Sequence, residues 1–494
     1  MKKTHRFCLE LLRLGKHRCR AMANYVMGLC SSPGLHHPVE ITNSPFCHYT
    51  YSNLTKVLEY WELSDEAFLK FIKPYLPAEQ FLPTGEPYRI LSHDLTKLLK
   101  PHSPSLPNRG YVVESNSVAQ NLSLSAGYHV SVLHVNDPFG GNALPLMAKR
   151  LEVESDKNAE ILAQIEAVMN QDEMPFKDTL TFFNGDSSYG KAAIIAPLHR
   201  YSKLVGILRM RGGMKVWTCH KGGQKDSGAR RVYGEKYYLR ETDKEVTDKK
   251  SGRQSTQSSI NNLSADETDS YEMTMKNGRA VNIDVKRWND VLIRGKGEAK
   301  MKDKPFDIVH VSIRDKQTGK LVFDRPMYLA ITGKCRQELP CAEAQKVYRQ
   351  RFKVEVNYRF CKQDLLMDKL QSPQIEHQDT WLDIVKISCW LLYVASKEIV
   401  QIDFPVWQKY LPINKNRDTG VGEQAAVTLP QAQKSIHRVF CTFDKTPFLP
   451  QKCKKGKGRK KGDTFKPRKV HPIVRKSKKK KINQATMNQK ARAS

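Results

Sequence analysis

Up to about Pro83 the apolar residues recur at helical spacing. Residues 8–29 carry them three and four apart, and Ser64, Asp65 and Glu66 have the form of a helix start ahead of Phe68, Phe71 and Ile72. The period then shortens to two. Runs at 88–93, 110–113 and 127–135 predict strands, the last rich in valine and aromatic residues. Residues 157–169, with Ile161, Leu162, Ile165 and Val168 on one side, predict a helix. Residues 179–183 and 204–210 predict two more strands with a short helix between them. Elements in this order predict an α/β fold with a mixed sheet and covering helices.

From Gly212 to Lys334 the pattern changes again. Residues 241–270 hold few large apolar side chains and are expected to form an exposed loop. Beyond them, runs at 280–285, 290–293, 306–313, 321–323 and 327–331 predict a β-rich insertion, with Gln317, Thr318 and Gly319 as a hairpin turn. Helical spacing returns over 341–368 and 380–399, and Pro447 and Pro450 close the last patterned stretch. The expected division is a helical N-terminal region (1–85) suited to DNA binding or to plain capping, and a first core part (86–211). The insertion (212–334), a second core part (335–405), a C-terminal region (406–450) and a disordered basic tail (451–494) follow.

Charge changes the picture of what this fold meets. The chain of 494 residues carries a formal +31. Between Lys452 and Arg492 stand 18 Lys and Arg against the single acid Asp463, so the tail holds +17 and the rest still holds +14. A basic body as well as a basic tail points to a polyanion, because cations beside phosphates release condensed counterions. The tail is expected to add non-specific affinity. The 11 cysteines form no C-x-x-C pair, so structural zinc is not expected and reduced thiols are. Residues 1–20 are basic without a continuous apolar core, so no signal peptide is expected. The apolar run at 387–402 is broken by Lys397 and Glu398, so a soluble, cytoplasmic protein is expected.

The most specific pattern is Tyr348, Arg351, Glu355 and Lys362, spaced Y-x2-R-x3-E-x6-K. On a continuous helix of ~100° per residue these fall within an arc of about 60°, so one face presents an acid between cations and a phenol. That suits phosphodiester chemistry, with the carboxylate holding a divalent metal and the cations holding phosphates. A solvated charged helix is the plain reading, but composition alone yields this four-residue pattern on the order of 0.01 times. One carboxylate cannot hold two hard cations, so partner acids are needed. Asp186 directly follows a predicted strand, and Asp94 closes another. Asp137 and Asp324 are rivals, the first in a Pro/Gly turn and the second in a loop joining two strands of the insertion.

The helix pattern resembles the YREK signature of insertion-sequence transposases, whose DDE catalytic core has an RNase H-like fold. Asp186, Ser187, Ser188 and Tyr189 resemble that family's second-aspartate motif, and Asp94, Leu95 and Thr96 its Asp-x-Thr first motif, with His93 where an aspartate is frequent. Gly127 to Arg150 is also family-like, and the segment before Glu355 resembles the group's β-rich insertion. The resemblance spans roughly residues 88–396. It implies that Asp94, Asp186 and Glu355 bind two Mg2+ or Mn2+ ions, and that Tyr348, Arg351 and Lys362 grip phosphates at a transposon end, in several relatives around a flipped base. It also implies a stacking aromatic from the insertion, for which Trp288 is the candidate and Trp217 the runner-up. The implied reaction is metal-dependent cleavage at terminal inverted repeats and attack of the freed 3′-hydroxyl on target DNA, by a homodimer on paired ends. Rival readings are a transposase-derived DNA-binding protein without catalysis, a metal nuclease without strand transfer and a basic RNA-binding protein.

Overall fold

The computed structural model describes residues 2–113, 124–223, 227–247, 254–275, 277–323, 326–399, 427–441, 462 and 468–475. Four helices come first, α1 (Lys2–Leu11), α2 (Cys19–Ser31), α3 (Tyr51–Tyr60) and α4 (Asp65–Ile72). Then follow β1 (Gln80–Phe81), β2 (Pro87–Leu99), β3 (Gly110–Val113), β4 (Leu124–Asn136), β5 (Ala143–Leu151), α5 (Lys157–Met169), β6 (Leu180–Gly185), α6 (Ala192–Leu198) and β7 (Leu204–Met210). Strands continue with β8 (Lys215–Cys219), β9 (Tyr233–Tyr238), β10 (Lys244–Thr247), β11 (Gln254–Gln257), β12 (Glu267–Thr274), β13 (Ala280–Leu292), β14 (Phe306–Asp315) and β15 (Met327–Thr332). Helices α7 (Cys341–Arg349), α8 (Lys353–Gln363), α9 (Ile375–Ile399) and α10 (Leu429–Phe440) close the series.

The helical spacing over 8–29 is carried by two helices, α1 and α2. The backbone turns back between α1 and α2 through left-handed conformations at Gly15, His17 and Arg18. A Cβ at Gly15 would lie 2.5 Å from the Glu62 carbonyl oxygen and from the Trp61 ring nitrogen, so the close approach requires glycine. Ser64 does cap α4, its hydroxyl oxygen accepting the Ala67 N–H at 3.2 Å. The helices α1, α2, α3 and α10 pack against α9, which is apolar nearly all round and buried accordingly. Glu398 near the end of α9 accepts the Lys3 N–H at 2.8 Å, a carboxylate at the positive end of α1. Among the described residues no helix is long and apolar enough to cross a membrane.

One 13-stranded mixed sheet runs in the order β3-β4-β2-β6-β7-β15-β14-β13-β8-β9, with β1, β5 and β12 paired off this path and β10-β11 forming a separate pair. Strands β2, β6 and β7 are mutually parallel, and β7 pairs antiparallel with β15. The segment expected as an insertion therefore extends the core sheet through β15, β14 and β13. Helices α5 and α6 cover one face with Leu91, Leu133 and Phe183, while α7 covers the other with Ile90, Phe182 and Ile207.

Several expectations change here. Residues 241–270 hold β10, β11 and the start of β12 rather than a plain loop. Strands β10 and β11 expose nearly every side chain, so no apolar alternation marks them. The runs at 280–285 and 290–293 are one strand, β13, with a bulge between Trp288 and Val291. Residues 321–323 form no strand, only a bridge from Leu321 to Arg314. Strand β5 was not expected; its Pro145 supplies no N–H, and the pairing with β4 slips between Leu133 and His134. Within the expected disordered tail, residues 468–475 run along the sheet, with the Val474 N–H on the Arg109 carbonyl at 2.7 Å and Arg475 over the Tyr111 ring at 5.6 Å.

Candidate functional site

The parallel pairing of β2 with β6 runs from Tyr88 opposite Leu180 to Ser92 opposite Asn184. Carried two residues further, the same register sets Asp94 beside Asp186 on one face of the sheet. Asp94 thus does not close its strand, as its sequence setting predicts. β2 continues to Leu99 against β4, and Asp94 sits where the parallel pair ends. Asn184, two residues before Asp186 and on the same face, donates to the Val347 carbonyl at 2.9 Å and so ties this corner to α7. The Asp186 carboxylate folds onto its own turn, accepting the Ser188 N–H at 2.8 Å and the Ser188 hydroxyl at 2.6 Å.

The expected continuous helix is broken. Helices α7 and α8 are joined by the 3-10 turn Gln350–Phe352, which carries Arg351. That guanidinium donates to the Glu355 carboxylate at 2.8 Å and to Asp94 at 3.4 Å, bridging two of the three acids. Burial pushes the Asp94 carboxyl up to about 6, against the Leu95 N–H and Arg351, and the nearby Asp186 and Glu355 charges push it the same way. Asp94, Asp186 and Glu355 therefore share one electrostatic neighbourhood. Tyr348, buried at the end of α7, has its phenol pushed up by burial, with Arg351 and Arg209 opposing that rise. Lys362 is not in this group. It lies two turns along α8 from Glu355, ~10 Å on, where Asp368 and Lys97 are its charged neighbours.

Beneath the acids lies a buried polar layer. His93 points to the opposite face from Asp94, its Nδ1 2.7 Å from the Tyr189 hydroxyl and its Nε2 2.7 Å from Ser131 Oγ. Burial holds its ring neutral, down to about 3. The Tyr358 hydroxyl of α8 donates to the Asp94 carbonyl at 2.7 Å, and the His134 ring meets Tyr358 edge-on at 5.3 Å.

Asp137 is buried in an ion pair with Lys397 at 3.1 Å, and its carbonyl accepts from Lys353 at 2.6 Å, so it anchors α8 and α9 rather than joining the acids. Asp324 lies outside the described residues. Trp288 is corrected as the stacking aromatic. It is 1 % exposed, donates through Nε1 to the Leu263 carbonyl at 2.9 Å and belongs to the core. Trp217 on β8 lies under Arg294, 4.9 Å from the ring centroid.

Beside the acids opens a groove of about 1250 Å³, lined by Arg209, Met273, Phe323, Tyr348, Arg351 and Phe352 among others. Phe352 and Phe323 are 59 % and 53 % exposed, large apolar rings left open in a groove that four cations also line, Arg209, Arg349, Arg351 and Lys353. Sequence reasoning passed over both, since nothing in a sequence separates an exposed phenylalanine from a core one. Only the position of Phe352 between Arg351 and Lys353 hints at it.

The donor set at this corner is carboxylate oxygen throughout, which suits hard divalent cations. Among the described residues, however, no three Asp, Glu, His or Cys side chains stand close enough to hold an ion together. Arg351 occupies the counter-charge position between Asp94 and Glu355, so the acids fit a metal in kind while the guanidinium balances them.

No protein-family profile matches the chain, and no curated protein matches it. Among solved structures, a piggyBac transposase in a synaptic complex with hairpin DNA aligns over 84% of this chain and 70% of that one, at 8% identity and a TM-score of 0.38. A likeness that slight carries no argument about fold or activity.

Proposed function

We propose that this chain is a DNA transposase of the DDE type, with an RNase H-like core, acting on transposon ends and target DNA. The observation that supports the reading is that Arg351 bridges Asp94 and Glu355, with the β2–β6 register bringing Asp186 alongside Asp94, beside a groove lined by Arg209, Arg351 and Tyr348. These three acids would hold two Mg2+ or Mn2+ ions. Bound there, the ions would activate water or a 3′-hydroxyl and stabilise the leaving oxygen.

The chain's own groups would do the rest. Arg351 and Arg209 present guanidinium donors to phosphate oxygens at the groove, and Tyr348 adds a phenol between them. Arg351 would exchange its carboxylate partners for phosphate as DNA enters, keeping the corner close to neutral in both states. Lys362 and Lys97 would meet phosphates further along the strand. The partner would be duplex DNA at paired ends on a homodimer, in the cytoplasm.

The test is a pair of assays on the purified chain with Mn2+, nicking of supercoiled plasmid and joining of a linear duplex with free 3′-hydroxyls into it. Both activities are expected, and Asp186→Asn and Glu355→Gln should each lose at least about 100-fold, or ~2.7 kcal/mol. Nicking without joining would make the protein a nuclease. Duplex binding with neither activity would make it a DNA-binding protein.

A further inference from the structure

The far edge of the sheet carries a second concentration of positive charge, built differently from the groove. On β8 and β9, Trp217 and Tyr233 meet edge to face at 5.8 Å, and the exposed Arg294 lies over both rings at 4.9 and 5.4 Å. Further along the same two strands, Lys215, Lys236 and Arg240 gather around the Tyr238 ring at 5.8, 5.6 and 5.3 Å. Beside Arg294 is a concavity of about 580 Å³ bordered by His220, Arg230, Arg231 and Lys302, with Glu235 its one acid. Glu235 is engaged by the Tyr237 hydroxyl.

We propose that this edge is a second DNA-binding surface, one that takes the phosphate backbone of double-stranded DNA. The aromatic rings orient the cations without neutralising them, so the guanidinium and ammonium donors stay available to an anion. Those rings are also spoken for. With cations over Trp217, Tyr233 and Tyr238, those three rings are closed to a stacking base, which sets the surface apart from a single-strand platform. What it does offer is fixed positive charge at several points, the complement of a regular array of phosphates.

Its distance from the acids fits a duplex. The path from β2 to β9 crosses seven strand spacings. At ~4.8 Å each that is at most on the order of 34 Å, the twist of the sheet shortening the direct span to within about one turn of B-form DNA. A duplex whose end lies at Asp94 would bring phosphates to β8 and β9 within its next turn. The surface shares with the proposed reaction only the premise that DNA is the partner, and binding alone tests it.

The experiment measures binding of the full chain to a fluorescent duplex of about 40 base pairs, in EDTA, across roughly 50–300 mM salt. The triple variant Lys236→Ala, Arg294→Ala, Lys302→Ala should bind at least about tenfold more weakly at the low-salt end. Its slope of log affinity against log salt should flatten by about 0.9 per cation removed. Arg294→Lys, which keeps the charge, should keep the slope, and a melting temperature matching wild type shows that the triple variant is folded. An unchanged slope in the folded triple variant overturns the proposal. So does a larger loss on a single strand of equal length than on the duplex. Because EDTA excludes metal-dependent cleavage, either result stands whether or not the carboxylates catalyse.

Discussion

The Tyr189 hydroxyl lies 2.7 Å from His93 Nδ1, and both side chains are buried. Tyr189 belongs to the turn that Asp186 opens, and His93 precedes Asp94, so one hydrogen bond on the hidden face of the sheet joins the backbones that carry two of the acids. The other ring nitrogen reaches Ser131 on β4, fixing the imidazole between three elements.

Replacing Tyr189 with phenylalanine leaves a buried ring nitrogen without its partner. The expected loss is about 1–3 kcal/mol, read from chemical denaturation. The nicking assay should also need more Mn2+ for half-maximal rate, because the Asp186 turn is no longer pinned beside Asp94. A stability loss with no change in the Mn2+ requirement would mean that the turn's own Asp186–Ser188 bonds suffice.

Arg351 holds its charge against Glu355 at 2.8 Å and Asp94 at 3.4 Å, so it competes with any cation for the same carboxylates. Arg351→Ala should therefore bind Mn2+ more tightly, by about tenfold for ~1.4 kcal/mol of lost repulsion, while binding DNA more weakly. Calorimetry with Mn2+ alone and anisotropy with duplex alone separate the two effects. Weaker Mn2+ binding in the variant would show that Arg351 organises the acids instead of opposing a cation.

His134 is buried with its pKa lowered from the ordinary value to about 4 by loss of hydration. In the unfolded chain it takes up a proton near pH 6.5, and in the folded chain only near 4. Between those values the unfolded state binds more protons, so stability falls as pH falls through the window, by about 2 kcal/mol between pH 7 and 5 for this ring. Asp94, raised to about 6, works in the opposite sense and offsets part of the drop. Urea midpoints at the two pH values should show a smaller decline in His134→Gln than in wild type. An equal decline would assign the effect to the other buried rings, His93, lowered to about 3, and His129 and His199, lowered to about 4.

Helix α5 and strand β7 were legible in the sequence to the residue, because each buries one clean stripe or run. The Ser64 cap was equally plain, since a local hydrogen bond needs only local sequence. What failed depends on partners far along the chain. Nothing within 241–270 shows that β12 will pair with β13, and nothing around Trp288 shows that its ring will be enclosed. At the site, the spacing of Tyr348, Arg351 and Glu355 assumed one continuous helix, which a 3-10 turn at Arg351 breaks, although Arg351 and Glu355 still pair across it. Lys362 is the residue for which the periodicity argument misled. Angular agreement around an axis says nothing of the ~10 Å travelled along it. The His93–Tyr189 link could not be anticipated, because each residue gains its meaning only when β2 and β6 lie side by side.

The stretch from Arg468 to Arg475 has a consequence for the open margin of the sheet. β3 ends the sheet, and Val474 lies against it through a parallel bridge to Gly110, with the His471 N–H on the Pro104 carbonyl at 2.9 Å. An uncovered terminal strand offers its free amides to any other extended chain. Here a segment so rich in lysine and arginine that it looks like a mere DNA tether also shields a sheet margin. Shortening the chain before Arg468 would remove that shield along with the charge, and the shortened protein would tend to self-associate as well as to bind nucleic acid less well.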